Sequence, residues 1–186
     1  MQTERTSLSL QSRSAPLPDL VRVLTQATEE RFRLLADLAL VPRQILHLER
    51  AYENFARHVE ELLLQHAGEQ TVPWVASLEA LLRAIDGQGL DWYLVGSAAL
   101  AVRGLDVAPG DVDLVVDPAG AYRLADLLLD ALMEPVRPTS GWIGECFGHA
   151  FLHASVDWVG GVDPTVDTYG PNDFGPAAAA RLETVR

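Results

Sequence analysis

Residues 92–117 read WYLVGSAALAVRGLDVAPGDVDLVVD, and they carry the strongest pattern in this chain. Residues 92–95 form a short apolar run that predicts a buried strand, and residues 111–116 form a second run that begins with acidic residues. The small residues from Ala98 to Arg103 favour a short helix, and Pro109-Gly110 favours a loop before the second strand. A helix that alternates with strands in this way indicates a sheet covered by helices.

The segments on either side continue this alternation. Residues 119–132 are expected to form a helix, residues 147–159 one or two strands, and residues 176–183 a short helix within an otherwise loop-like end. Upstream, a helix is expected after the cap residue Thr71, with a buried stripe formed by Trp74, Leu78, Leu81, Leu82 and Ile85. We therefore expect an α+β fold with a mixed, α/β-type sheet flanked by helices.

The N-terminal part differs in character from the rest. Residues 1–18 are polar and are expected to form a disordered tail without a secretory signal. Residues 19–70 are expected to form a helical hairpin that breaks at Pro42 and precedes the α+β domain of residues 71–186. The second helix carries apolar residues at spacings of three and four: Ile45, Leu48, Tyr52, Phe55, Val59 and Leu62. This seam either packs on the chain's own domain or forms a homodimer or partner interface.

Composition narrows the classes of partner. The 186 residues carry a formal net charge of −12, and all 14 basic residues are arginine. Residues 71–186 hold 16 acidic and 6 basic residues, a net charge of −10. Nucleic acid is disfavoured because its binders present basic surfaces, whereas this acidity suits a cationic ligand or metal ions, or is simply a solvated surface. The single cysteine, Cys146, excludes an internal disulfide, and no run is apolar enough for a transmembrane helix, so a cytoplasmic protein without a membrane partner is expected.

Three aspartates are candidate metal ligands. Asp111 and Asp113 are two residues apart on a predicted strand, so their side chains point to the same face. Asp157 lies between Val156 and Trp158 in a later apolar strand. Carboxylates crowded together in apolar strands repel one another, and a divalent cation such as Mg²⁺, which prefers carboxylate and phosphate oxygens, relieves that repulsion. The alternative is that these carboxylates are solvated at the edge of a strand.

Gly96 and Ser97 mark a candidate phosphate site. They follow the strand of residues 92–95 at the start of a helix, where a glycine allows close backbone approach and free N–H groups suit a phosphate. The alternative is a Gly-Ser turn required for steric reasons alone. His149 and His153 are four residues apart, but on a strand this spacing separates them by about 13 Å, so a zinc site is not expected.

The order of these features resembles a known family. Gly96-Ser97, a spacer of 13 residues, the Asp111-x-Asp113 pair and a third acid on a later strand are similar to the nucleotidyltransferase superfamily that includes DNA polymerase β. The resemblance covers residues 73–160 and is strongest toward small bacterial branches that modify antibiotics or act as toxins in abortive-infection systems. It implies a nucleotidyltransferase-like fold and the transfer of a nucleoside monophosphate from a nucleoside triphosphate (NTP) to a hydroxyl group.

The resemblance also implies a role for each matched residue. Gly96 and Ser97 would hold the triphosphate. Asp111 and Asp113 would bind Mg²⁺, and Asp157 would complete a second metal position and help to activate the acceptor hydroxyl, so two ions are expected. The acceptor is expected to be a small molecule, and the acidity of the second part of the chain favours a cationic, aminoglycoside-like compound.

The chain departs from the family pattern in two respects. Many relatives place a basic residue ahead of the Asp-x-Asp pair, whereas residues 104–110 contain none, which leaves Arg103 as the candidate for binding the phosphates. Arg103 could equally be a surface arginine at a helix end. The chain also stops soon after the third acid, so either the hairpin supplies the rest of the acceptor pocket or the chain is a fragment. Two alternatives stay open: a toxin-type transferase acting on tRNA or protein, and a non-catalytic regulatory or antitoxin-like module that binds a partner through the hairpin.

Overall fold

A computed structural model describes Gln26 and residues 42–139 and 144–162 of the chain. The described residues form an α+β arrangement in which helices flank one mixed sheet, so the expected fold class is confirmed. The helices are α1 (Pro42–His66), α2 (Trp74–Ile85), α3 (Gly96–Val102) and α4 (Pro118–Leu127), with a 3-10 turn at Leu129–Ala131. The strands are β1 (Trp92–Val95), β2 (Val112–Val116), β3 (Leu132–Pro138), β4 (Gly144–Phe151) and β5 (Ser155–Val162).

The sheet has the strand order β1-β2-β5-β4-β3. Strand β2 pairs in parallel with β5 and antiparallel with β1, and β4 pairs antiparallel with both β5 and β3. The return from β2 to its parallel neighbour runs through α4, β3 and β4, as a parallel pair requires a long connection. This topology places β2 and β5 side by side near the centre of the sheet.

One face of the sheet forms the hydrophobic core. Alternate residues of β2 and β5, including Leu114, Val156 and Trp158, are buried beneath α2 and α4. The Trp158 indole Nε1–H donates a hydrogen bond of 3.1 Å to the carbonyl oxygen of Ala121 in α4. Because successive strand residues point to opposite faces, the residues between these core positions are directed to the other face of the sheet.

Helix α1 packs on the chain's own domain, beside β3 and the 3-10 turn. The buried Asn54 amide donates hydrogen bonds to the carbonyl oxygens of Leu129 (2.9 Å) and Leu132 (3.0 Å), and the Gln65 amide donates to the carbonyl oxygen of His153 (2.9 Å). Leu48 and Val59 of the predicted seam are buried within the chain itself. Packing on its own domain therefore accounts for these seam residues, and a homodimer through the N-terminal helices stays a prediction.

Several local predictions were wrong. The helix predicted for residues 119–132 ends at Leu127, and the seven residues that follow the 3-10 turn form β3, which was not predicted at all. Helix α2 begins at Trp74 after Pro73, without a side-chain cap from Thr71, and Leu82 of its predicted buried stripe is 40% exposed. Strand β1 forms as predicted, but it is half-buried rather than buried, and its Tyr93 is 48% exposed. The other boundaries agree within a few residues, and two strands, β4 and β5, span the predicted region from 147 to 159.

Other expectations lie outside the described residues: the tail 1–18, the first arm of the hairpin apart from helical Gln26, and the helix 176–183. The predicted division of the chain at residue 70 stays a prediction. Across residues 42–139 and 144–162, no helix combines the length and the apolar character needed to cross a membrane.

Candidate functional site

The register of two strands brings the predicted aspartates together. Asp113 of β2 is the direct partner of Asp157 in the parallel β2–β5 pair. Val112 and Leu114 on either side of Asp113 are buried in the core, so Asp113 is directed to the opposite face, where Asp157 also lies. Asp111 immediately precedes β2, and each of the three side chains has a carboxylate oxygen within 4.8 Å of the others. The structure therefore assembles one half-buried cluster, which we call the aspartate triad (Asp111, Asp113 and Asp157).

In the absence of a cation, burial and mutual repulsion disfavour the charged forms of the triad carboxylates. Burial, followed by the neighbouring Asp111 carboxylate, raises the pKa of Asp113 to about 6. Burial raises the pKa of Asp157 to about 7, and the carboxylates of Asp113 and Asp111 add to this effect. Both aspartates would thus give up part of their charge near neutral pH, because desolvation and like charges disfavour ionisation. A bound cation would favour the charged forms and lower both pKa values.

The donor set fits a hard divalent cation. All three groups are carboxylates, without sulfur or imidazole among them, and this chemistry suits Mg²⁺, Mn²⁺ or Ca²⁺ rather than zinc or copper. A coordinated cation would also offset the repulsion that raises the two pKa values. The residues present therefore fit the predicted Mg²⁺ site.

Gly96 lies against the triad. It follows Val95, which pairs with Asp113 in the antiparallel β1–β2 ladder, and it is the first residue of α3. Its φ of +65° falls in the left-handed region that disfavours other residues, and a Cβ atom built on it would overlap the Asp113 carboxylate. Glycine is thus required here by both backbone conformation and space.

The other two predicted binding residues belong to the same short helix. Ser97 follows Gly96 and is half-buried. Arg103 follows α3 at its C-terminal end and is exposed, six residues after Ser97, or about 9 Å further along the helix axis. The structure therefore brings Gly96 to the triad, with Ser97 next to it in the chain, and places Arg103 at the far end of α3.

Two polar residues beside the triad were not predicted. His149 of β4 is the direct partner of Asp157 across the β4–β5 pair, and Glu134 of β3 is the partner of His149. The His149 Nε2 atom lies 4.0 Å from Asp157 Oδ1, which is too long for a hydrogen bond, and it is buried without a hydrogen-bond partner among the described residues. Burial is the main cause that lowers the pKa of His149, so its imidazole is neutral at pH 7. Only the pairing of β4 with β5 shows that His149 is a neighbour of Asp157, since no motif in the sequence contains both His149 and Asp157.

Some chemically versatile residues of β4 and β5 lie apart from the triad. Trp158 and Cys146 are buried on the core face of the sheet. Glu145 is exposed on β4. A surface depression of about 480 Å³ lies between the end of α2 and the start of β1, and it includes none of the triad residues.

Comparisons with known proteins leave the family open. The sequence matches no protein-family model, and a search of curated proteins finds no similar sequence. A solved structure from Thermotoga maritima, described as a candidate nucleotidyltransferase, has 23% sequence identity to this chain and a TM-score of 0.44. The similarity covers 49% of this chain and 58% of that one. A likeness of this extent says nothing about activity, so the function has to be argued from the site itself.

Proposed function

We propose that this protein is a Mg²⁺-dependent nucleotidyltransferase that moves a nucleoside monophosphate from an NTP to a hydroxyl group of a small acceptor. The observation that carries the proposal is the aspartate triad, whose three carboxylates lie within 4.8 Å of one another on a sheet face beside Gly96. Nothing in the packing of the domain demands three carboxylates at this place, because each raises the cost of ionising the next. When bound there, Mg²⁺, as one or two ions, would offset phosphate charge and acidify the attacking hydroxyl.

The residues that would act in this reaction lie on two sides of the triad. On the β1 side, Gly96 leaves room for a phosphate to approach the backbone, and Ser97 adds a hydroxyl donor. On the β5 side, Asp157 would orient the acceptor hydroxyl and accept its proton. The acceptor oxygen would then form a bond to the α-phosphorus while the bond from that phosphorus to pyrophosphate breaks.

The charge of the triphosphate has to be offset without lysine, which the chain lacks. In this proposal the cation offsets most of the charge, and Arg103 at the far end of α3 contributes the nearest guanidinium in sequence. Replacement of Arg103 by methionine would therefore weaken NTP binding, whereas metal binding in the absence of nucleotide would be unchanged.

The acceptor side of the site is acidic. Beyond Asp157, the row of paired residues continues with His149 and Glu134, and residues 71–186 as a whole carry a net charge of −10. A small cationic acceptor, such as an aminoglycoside-like compound, matches this charge better than tRNA, whose phosphates would be repelled.

A thermal-shift titration tests the proposal. The four NTPs are added with and without Mg²⁺ to the wild type, to the Asp111→Asn, Asp113→Asn double variant, and to an Asp91→Asn, Asp130→Asn control, which removes the same charge at exposed positions outside the triad. A nucleotide at 100 times its Kd adds about 2.7 kcal/mol to the free energy of unfolding, or roughly 5–11 °C for a chain of this size. We expect a Mg²⁺-dependent shift in the wild type and the control, and none in the double variant.

Transfer itself is measured with the NTP that gives the shift, as Mg²⁺-dependent pyrophosphate release in the presence of cationic and neutral hydroxylated acceptors. A cooperatively melting protein that shows no shift with any NTP would contradict the proposal. That result would instead favour the non-catalytic binding module that acts through the helical hairpin.

A further inference from the structure

His149 occupies an unusual position beside the triad. Its Nε2 atom is buried from solvent but forms no hydrogen bond within the described part of the chain, and the carboxylate oxygen Oδ1 of Asp157 lies 4.0 Å away. Buried polar atoms are nearly always satisfied in folded proteins, so an unpartnered nitrogen next to a candidate metal ligand calls for an explanation.

The sheet fixes this arrangement. Glu134, His149, Asp157 and Asp113 are direct partners on the consecutive neighbouring strands β3, β4, β5 and β2. His149 thus lies in the sheet between Glu134, whose carboxylate pairs with Arg137 outside the triad, and Asp157 of the triad. Two residues further along β4, the buried Phe151 ring packs against His58 of α1 at a centroid distance of 5.3 Å, so this end of the strand is covered by α1.

The hydrogen-bonding capacity of the ring suits a carboxylate that is charged. A neutral imidazole carries one N–H donor, and an ionised carboxylate accepts hydrogen bonds only. When Asp157 is ionised, its Oδ1 is therefore the natural acceptor for a proton on Nε2, and a small side-chain rotation would close the remaining distance. Groups that hydrogen-bond to a ligating carboxylate fix its orientation and support metal affinity.

We propose that His149 is a positioning residue, whose Nε2–H donates a hydrogen bond to Asp157 and holds that carboxylate in the orientation that binds the cation. This inference rests on the cation site of the proposed function but not on the transfer reaction. It assigns to His149 a role in metal affinity that is separate from any contact with the nucleotide or the acceptor.

Mn²⁺ binding to the full chain without nucleotide tests the inference, with free Mn²⁺ measured by electron paramagnetic resonance. His149→Phe keeps a flat ring but removes the donor, and His149→Gln restores an N–H group at a similar reach. His153→Phe is the matched control, since His153 is exposed and its hydrogen bond with Gln65 uses the backbone carbonyl oxygen. We expect His149→Phe to raise the Kd for Mn²⁺ about tenfold or more, and His149→Gln and His153→Phe to stay within about threefold of the wild type.

Thermal melts accompany each titration. If His149→Phe does not melt cooperatively, His149→Leu replaces it in the comparison with His149→Gln. Wild-type Mn²⁺ affinity in the donor-free variant would overturn the inference, and so would equal losses in that variant and in His149→Gln.

The Asp111→Asn, Asp113→Asn variant separates this inference from the proposed function. If that variant binds Mn²⁺ like the wild type, the cation site is elsewhere and both proposals are overturned. If the variants behave as expected but no NTP is turned over, the role of His149 stands and the transferase reaction is refuted.

Discussion

Replacing Gly96 by alanine tests whether the glycine is required because of the triad or only because of its backbone conformation. The substitution adds one Cβ atom at a position where φ is +65° and where the new atom would overlap the Asp113 carboxylate. Gly87 provides a matched control. Its φ is +67°, but a Cβ atom there would have nothing within 4 Å.

The magnitudes follow from these two geometries. A non-glycine residue in the left-handed region costs about 1–2 kcal/mol, so both variants should lose that much free energy of unfolding, or roughly 2–8 °C in Tm. In Gly96→Ala, the Asp113 carboxylate must also leave its position, and a side chain forced off its rotamer adds about 0.5–1.5 kcal/mol. The stability difference between the variants is therefore small.

Metal affinity separates the two variants much more clearly. Displacing the Asp113 carboxylate removes one of three ligands, so we expect Gly96→Ala to raise the Kd for Mn²⁺ at least about tenfold, a loss of about 1.4 kcal/mol in binding. Gly87→Ala should bind Mn²⁺ like the wild type. Urea unfolding and Mn²⁺ titration of both variants provide the assay. Wild-type Mn²⁺ affinity in Gly96→Ala, or an equal loss in both variants, would refute the role assigned to the contact between Gly96 and Asp113.

Two further predictions concern pH and the attachment of α1. Burial raises the pKa of Asp113 to about 6 and of Asp157 to about 7, so the folded metal-free protein binds protons more tightly than the unfolded chain. Its free energy of unfolding should therefore fall as pH rises from about 4 to about 7. Urea titrations with EDTA across this range measure how the free energy of unfolding changes with pH. This dependence should be weaker in an Asp113→Asn, Asp157→Asn variant, and an equal dependence in both proteins would contradict the raised pKa values of the two aspartates. Replacing Asn54 by alanine removes the side-chain donor of the buried hydrogen bond to the Leu132 carbonyl oxygen, whereas the Leu129 carbonyl oxygen keeps the backbone N–H of Leu132. The substitution should therefore cost about 1–3 kcal/mol of unfolding free energy. A loss below about 0.5 kcal/mol, as for an ordinary surface substitution, would show that these hydrogen bonds do not anchor α1.

The strand that was missed shows where local reasoning fails. Strand β3 contains Pro135 and Pro138, and proline normally argues against a strand because it lacks an N–H donor. Among the described strands β3 lies at one edge of the sheet, next to β4, and its register shifts on either side of Glu134. An edge strand tolerates proline where no ladder hydrogen bond is needed, and the position of a strand in the sheet is not visible in its own sequence.

Part of the candidate site was predictable because it depends on the local alternation of a strand and not on the position of that strand in the sheet. The alternation of β2 is local, so the sequence alone placed Asp111 and Asp113 on the face opposite the buried valines and leucine. Asp157 could be assigned to a strand with the same alternation, but its distance from the pair depends on which strand becomes the neighbour of β2. The spacing of His149 and His153 does not suit a metal site, and the partner of His149 in the sheet, Asp157, lies on another strand.

The properties that the sequence by itself determined are those that depend on near neighbours along the chain. They are the amphipathic helix α1, the strands β1 and β2, the common face of Asp111 and Asp113, and the turn at Gly96. What only the tertiary structure decided is the parallel pairing of β2 with β5 at the register that sets Asp113 beside Asp157, and the pairing with β4 that adds His149. The physical reason is that the direction of a side chain follows from the backbone period of its own element. Strand order and register follow instead from the burial of a whole face of the sheet, and residues far apart in the chain contribute to that face together.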